Sequence, residues 1–278
     1  MNNQALADLA ITAAKRAADH IQSQAGKQRE VLTKDGGGSR ASQVVTEVDF
    51  ECQRLILEIL DPSIEAHNFG LLTEELKDDS SRHTCDYFWC VDPLDGTLPF
   101  IENVAGYSVS IALLRRDGTP VIGVVHDPVT STTYHAVRDG GVFCNRAPWS
   151  INSKNPHLTL VTDRSFAKQP DYGRIMTALE TLAPGLRIIN QGGAAMNAIW
   201  VIENAPAVYF KFPKSEDGGG SIWDFAASAC IFNELGTPVT NIHGHPLNLN
   251  RRDSTFMNKD GVVYASSEKL ALFVRGLL

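Results

Sequence analysis

A chain of 278 residues can bury a substantial core, as one large domain or as two close-packed ones. Its 43% hydrophobic and 21% charged residues are ordinary for a globular protein and argue against disorder. A formal charge of −7 argues against a general nucleic-acid surface, which would need clustered Lys and Arg.

The N-terminus has no basic segment followed by an apolar core, and no apolar run approaches the roughly 18 residues of a membrane span, so neither export nor membrane insertion is expected. The five cysteines, Cys52, Cys85, Cys90, Cys144 and Cys230, form neither a zinc spacing nor an even disulfide set. Reduced thiols and a cytoplasmic location are the expectation.

Leu6, Leu9, Ala10, Ala13, Ala14, Ala17 and Ile21 recur at helical spacing, which predicts an amphipathic helix over 4–25 with a small-residue face suited to close packing. Lys34 to Ser42, with Gly36, Gly37 and Gly38 inside it, reads as a loop. Thr46-Glu47-Val48-Asp49 opens a second helix with an apolar side of Cys52, Leu55, Ile56, Ile59 and Leu60. Thr46 with Asp49 three residues on is a capping-box pattern, so on the residues alone Asp49 is as readily a cap as a functional group. Leu71-Leu72-Thr73 reads as a short strand that delivers Glu74 and Glu75.

The stretch Tyr87 to Val91 predicts a buried strand that stops at Asp92-Pro93, since proline cannot donate to a sheet ladder. Asp92 and Asp95 are three apart, with Pro93 stiffening the link, so both carboxylates can turn to one side with the Leu94 carbonyl between them. Three oxygen donors of this kind suit a hard cation such as Mg2+. Gly96-Thr97 then offers backbone N–H groups that can hold an anion if a helix starts there.

Tyr107 to Leu114, Val121 to His126 and Thr132 to Val137 are closely spaced β-rich runs and predict an antiparallel meander. Past Arg146 the pattern becomes strands alternating with helices: Leu158 to Thr162, a helix near 171–182, Arg187 to Ile189 and a helix near 194–203. An α+β half over 1–148 and an α/β half over 149–278 are therefore expected.

Three blocks occur in one order: Thr73-Glu74-Glu75, Asp92-Pro93-Leu94-Asp95-Gly96-Thr97, and Trp223-Asp224-Phe225-Ala226-Ala227. With them the chain resembles the lithium-sensitive, Mg2+-dependent phosphomonoesterases of the inositol monophosphatase superfamily, from about Val44 to Ala265. The resemblance implies a layered αβαβα sandwich and two to three Mg2+ ions per site. It implies that Glu74, Asp92 and the Leu94 carbonyl hold one ion, and that Asp92, Asp95 and Asp224 hold a second. Glu74 would also help hold the attacking water. The Thr97 hydroxyl and Asp49 would orient that water and complete a third, looser metal position. Gly96 and Thr97 would receive the phosphate through their N–H groups.

Within the superfamily, Gly192-Gly193-Ala194-Ala195-Met196-Asn197 looks like the G-G-A-G-x-K segment of 3'(2'),5'-bisphosphate nucleotidases, which implies substrate contacts at Gly193 and Ala194, with Asp224 close by. Asn197 stands where that branch has lysine, Leu98-Pro99 stands where it often has Lys-Glu, and Ser215 to Gly220 reads as an inserted loop. Lys211, Lys214, Arg251 and Arg252 are candidate cations for a second phosphate. The expected substrate is adenosine 3',5'-bisphosphate, with an inositol monophosphate as the alternative. The expected partners are small phosphorylated molecules, neither a nucleic-acid polymer nor a membrane, with a homodimer compatible with the sequence. A non-catalytic phosphate- or metal-binding regulator would have lost a ligand, yet Glu74, Asp92, Asp95 and Asp224 are all present.

Overall fold

A computed structural model describes residues 1–27, 32–33, 44–151 and 155–277, with side chains at 32–33 and 44–45 excluded. The expected loop at 34–42 lies outside the described residues.

Helix α1 (Asn3–Gln24) and helix α2 (Glu47–His67) pack on each other, joined by a short ribbon of β1 (Leu32–Thr33) and β2 (Val44–Val45). The small face predicted for α1 is buried, with Ala10, Ala13, Ala14 and Ala17 inaccessible to solvent. A seven-stranded sheet follows in chain order: β3 (Gly70–Thr73), β4 (Tyr87–Asp95), β5 (Ser108–Arg115), β6 (Pro120–Asp127), β7 (Thr132–Val137), β8 (Gly141–Cys144) and β9 (Ala147–Pro148). Only the β3–β4 pair in it is parallel, and the predicted meander is β5–β6–β7.

The second sheet has the order β11 (Arg187–Ile189), β10 (Thr159–Val161), β12 (Ala207–Lys211), β14 (Val262–Ala265) and β13 (Val239–Thr240). Its β10 is parallel to both neighbours, as βαβ units require, while β14 runs antiparallel to β12 and β13. Helices α4 (Tyr172–Leu182), α5 (Ala194–Glu203), α6 (Ile222–Glu234) and α7 (Glu268–Arg275) complete this half.

Side-chain alternation along the strands sorts these elements into five layers. On β4, Trp89 and Val91 face α1 and α2, while Phe88 and Cys90 face α5 and α6. On β12, Ala207 and Tyr209 face that same α5–α6 layer, while Val208 and Phe210 face α4 and α7. The order is α1/α2, seven-stranded sheet, α5/α6, five-stranded sheet, α4/α7, which is the expected αβαβα sandwich. Each fully buried aromatic or branched side chain contributes about 1.5–3 kcal/mol. The change of sheet falls between β9 and β10, and both sheets share the central helical layer.

The strand expected to end at Val91 continues to Asp95. Asp92 pairs with Ser110 and Asp95 with Ser108, so three steps on β4 oppose two on β5. Pro93 sits inside this bulge, where the ladder skips and its missing N–H is not needed.

The central layer lies very close to the first sheet. A Cβ added at Gly123 on β6 would fall 2.2 Å from the Ala227 carbonyl oxygen and 2.7 Å from Cys230 Cβ, both on α6. Gly123→Ala is expected to cost about 1–3 kcal/mol of stability by overpacking. Urea unfolding measures this, and a loss below about 0.5 kcal/mol would show that the helix moves away freely.

Candidate active site

Asp92 and Asp95 leave the bulge of β4 on one side, and Asp224 comes from the first turn of α6. Their carboxylate oxygens lie within 4.8 Å of one another. Asp92 and Asp95 are buried, and Asp224 is half-buried.

Each carboxylate is held by nearby backbone N–H groups. The Leu94 N–H donates to Asp92 Oδ1 at 3.0 Å, which folds the bulge around that side chain. Asp95 accepts the N–H groups of Ala194 and Ala195 at 2.9 Å each, from the N-terminus of α5, and the Ser108 hydroxyl at 3.3 Å. The Gly193 N–H donates to the Gly106 carbonyl at 2.7 Å. A Cβ at Gly193 would meet the Asp95 carboxylate at 2.5 Å, so only glycine permits this approach. Gly193 and Ala194, read from the sequence as substrate contacts, thus give their N–H groups to protein acceptors here, Gly193 to the Gly106 carbonyl and Ala194 to Asp95. Asp224 is the N3 residue of a capping box with Ser221.

Thr46 and Asp49 form the predicted capping box at the start of α2. Asp49 Oδ2 accepts the Thr46 N–H at 2.8 Å and its hydroxyl at 2.7 Å. Asp49 Oδ1 accepts the Thr97 hydroxyl at 3.0 Å, and that hydroxyl also lies 3.4 Å from the Leu94 carbonyl. One carboxylate therefore caps the helix with one oxygen and reaches the Asp92–Thr97 box with the other. Gly96, with φ of 89°, is the N-cap of the short helix α3 (Thr97–Ile101). Glu74 follows β3 directly, and its N–H donates to the Val91 carbonyl at 3.2 Å. The next N–H, of Glu75, donates to Gln53 Oε1 on α2 at 3.2 Å.

Proximity of like charges in a dry site raises carboxyl pKa values. Burial, then Glu74, Asp95 and Asp224, push the Asp92 carboxyl well above its ordinary range. Burial and Asp224 do the same to Asp95, against the N–H groups of Ala194 and Ala195. Asp224 is raised to about 6 by burial and Glu74, with Lys211 and the Ser221 N–H opposing. Asp49 is raised to about 6, chiefly by burial, although the bonds from Thr46 and Thr97 work the other way.

A set of all-oxygen donors that repel one another in a buried site fits a hard divalent cation, which removes the repulsion on binding. Two surface cavities, of about 420 and 330 Å3, instead border the C-terminal end of α6. The site is marked by its charges.

Lys211 ends β12 with its ammonium 2.9 Å from Asp163 and over the rings of Phe225 and Tyr209, at 5.5 and 6.0 Å from their centres. Asp163 was not anticipated, although an acid just past the end of a parallel strand is the position where α/β sheets place ligands. Arg251 pairs with Asp253 through two nitrogens, at 2.9 and 3.0 Å, and donates to the Phe256 carbonyl. The 215–220 loop is zipped to the following segment: Asn258 accepts the Lys214 N–H at 3.0 Å through its carbonyl, and its side-chain amide donates to the Lys214 and Glu216 carbonyls.

Asp49→Asn keeps the acceptor that caps α2 but removes the charge facing Thr97. If the charge serves the reaction, kcat is expected to fall at least about ten-fold while the melting temperature holds, and Asp49→Ala should add about 0.5–2 kcal/mol of instability. Unchanged kcat in Asp49→Asn would reduce Asp49 to a cap.

The profile of the inositol monophosphatase family matches residues 2–275. The inositol-1-monophosphatase of Caulobacter vibrioides is 27% identical over 84% of this chain and 88% of its own. The Nus factor SuhB of Haemophilus influenzae is 30% identical over 82% of each chain. Among solved structures, CysQ from Bacteroides thetaiotaomicron, a bacterial member of the inositol monophosphatase family, superposes with a TM-score of 0.75 at 26% identity, covering 95% of this chain and 98% of that one. All five cysteines are free, and no helix among the described residues is long and apolar enough to cross a membrane. The match takes in both sheets and every layer of the sandwich, and the chain accordingly belongs to the inositol monophosphatase family, as a metal-dependent phosphatase that hydrolyses phosphoric monoesters.

Proposed function

We propose that this chain is a Mg2+-dependent phosphomonoesterase of small molecules that carry a single phosphate, with inositol monophosphate the substrate to test first. The observation that carries the choice of one phosphate is the state of the cations. Lys211 is paired with Asp163, and Arg251 with Asp253, so neither is presented for a second phosphate. The likeness to an inositol-1-monophosphatase over most of both chains supports the same reading.

The residues that would hold the ions are Glu74, Asp92, Asp95, Asp224 and the Leu94 carbonyl. Bound Mg2+ would supply Lewis-acid activation of water and neutralise charge on the phosphoryl and leaving oxygens, which a monoester requires because its uncatalysed hydrolysis is so slow. Thr97 and Asp49 form a hydrogen-bonded pair that can take up a proton from water, since the Asp49 carboxyl titrates at about 6. Gly96 and the first turn of α3 would face the phosphate. Asp95, fixed by Ala194 and Ala195, keeps its carboxylate aimed at the cluster as substrate arrives and leaves.

Adenosine 3',5'-bisphosphate is the second reading. It keeps two supports in the structure: Lys214 is half-exposed on the loop pinned by Asn258, between the end of β12 and the start of α6, and Arg252 is exposed. Phosphate release with Mg2+ over inositol 1-monophosphate, 3'-AMP, adenosine 3',5'-bisphosphate and fructose 1,6-bisphosphate separates the two. A charge-assisted contact to a second phosphate is worth about 1.5–3 kcal/mol, or roughly ten-fold to over a hundred-fold in kcat/KM. Comparable kcat/KM for 3'-AMP and the bisphosphate, with inositol 1-monophosphate at least as good, is expected. A bisphosphate preference over 3'-AMP beyond ten-fold would restore the nucleotidase reading.

A further inference from the structure

The five-stranded sheet carries a polar group at the edge of the acidic cluster that the reaction outlined above does not use. Asp163 follows β10 and points across to the end of β12. One of its oxygens, Oδ2, is 2.9 Å from the Lys211 ammonium. The other, Oδ1, is 3.3 Å from Asn197 Nδ2 and 3.3 Å from the Tyr209 hydroxyl. Asn197 and Tyr209 are themselves fully buried, so they fix the carboxylate plane. The lysine side chain is 16% exposed, with its ammonium over the two rings already described.

Lysine carries its charge on a flexible four-carbon stem with nothing in the stem to fix its direction. Two attractions compete for this ammonium. Burial works to depress it, but Asp163, then Asp224, then Asp95 raise it above its ordinary value. The last two belong to the trio that would hold the metal ions. A cation that leaned further toward Asp224 would occupy the charge a divalent ion needs.

We propose that Asp163 is a positioning residue that tethers Lys211 at the rim of the acidic cluster and so keeps a resident cation from competing with the metal for Asp224. The inference rests on the metal reading given under the proposed function. Coulomb energy falls with distance, so a tether of this kind acts by holding the ammonium back from Asp224. Removal of Asp163 leaves Asp224 and Asp95 as the named anions that attract the freed ammonium.

Mn2+ binding to the metal-free chain, followed by electron paramagnetic resonance, tests this without relying on turnover. Asp163→Asn preserves the size of the side chain and acceptors for Tyr209, and is expected to weaken Mn2+ binding about ten-fold. Lys211→Met retains the apolar stem over Phe225 and Tyr209 and is expected to tighten binding several-fold. The double variant decides the mechanism: with no ammonium to release, its affinity should stay within about two-fold of Lys211→Met. If Asp163→Asn weakens binding equally in both backgrounds, Asp163 acts through its own charge or through the fold, and the tether is overturned. Unchanged Mn2+ affinity in Asp163→Asn would overturn it as well. If the unsubstituted chain binds no Mn2+, the metal reading itself fails and the tether with it, an outcome distinct from the other two. Melting temperatures of all four proteins within a few degrees confirm that the differences are not unfolding.

Discussion

Asp92→Asn is expected to lower kcat by at least about a thousand-fold, with the fold preserved. Asp92 sits at the centre of the charge cluster, where Glu74, Asp95 and Asp224 all act on it. An asparagine has the same shape, and its Oδ1 can still accept the Leu94 N–H that closes the bulge. The substitution thus removes charge and little else. One carboxylate fewer leaves two of the three clustered acids to hold ions, and losing a charge that acts on the transition state costs several kcal/mol. Without metal, the same variant is expected to melt at a higher temperature than the unsubstituted chain, because a buried anion among like charges has been removed. Phosphate release at saturating Mg2+ and thermal melting in a chelator measure the two arms. Activity above a tenth of the starting rate would remove Asp92 from the metal site.

The second large effect is a linkage between pH, metal and stability. Asp92 and Asp95 titrate well above their usual range in the folded chain, and Asp49 and Asp224 at about 6, whereas unfolded carboxyls titrate near pH 4. Above about pH 4 these four carboxyls therefore hold more protons in the folded metal-free chain than in the unfolded one. A raised folded-state pKa gives stability that is complete below the unfolded value and is lost as pH rises through the folded value. The loss runs through about pH 6 for Asp49 and Asp224 and continues higher for Asp92 and Asp95.

His126 works in the opposite direction. Burial, with Lys15 adding, pushes it down to about 4, so the folded chain gains stability as pH rises toward about 6.5 and nothing beyond. The clean window is thus above about pH 6.5. There the melting temperature in chelator is expected to fall by about 5 °C or more toward pH 8.5, and Mg2+ to restore it, with a larger gain at the higher pH. Asp92→Asn should flatten the chelator curve. A Mg2+ gain that is equal at both ends of that window would mean that the carboxyls are not protonated in the metal-free fold.

The helix and strand periods were legible because they are local, whereas the layered sandwich was expected only from the resemblance carried by the three motif blocks. Alternation on β4 and β12 assigns one side chain in two to each neighbouring layer, and the alanine face of α1 announces close packing before any partner is known. The capping box at Thr46–Asp49 was legible for the same reason. Residue chemistry alone left it undecided between cap and function, and the fold shows one oxygen given to each partner.

The continuation of β4 through Pro93 was not legible, since proline ends a strand by any local rule and only the skipped register opposite Ser108 and Ser110 excuses it. Nor could the sequence show that Gly193 and Ala194 turn their N–H groups on the Gly106 carbonyl and Asp95, because those acceptors lie in the other half of the chain. The same holds for Lys211. Its charge and its place before Trp223-Asp224 are in the sequence, but its pairing with Asp163 depends on β10 and β12 lying side by side and parallel. Carboxylate identity and motif order are fixed by short stretches of chain. The distances that set the charge balance among Asp92, Asp95, Asp224 and Lys211 arise only when two sheets close on a shared helical layer, since electrostatic energy depends on separation in space and not along the chain.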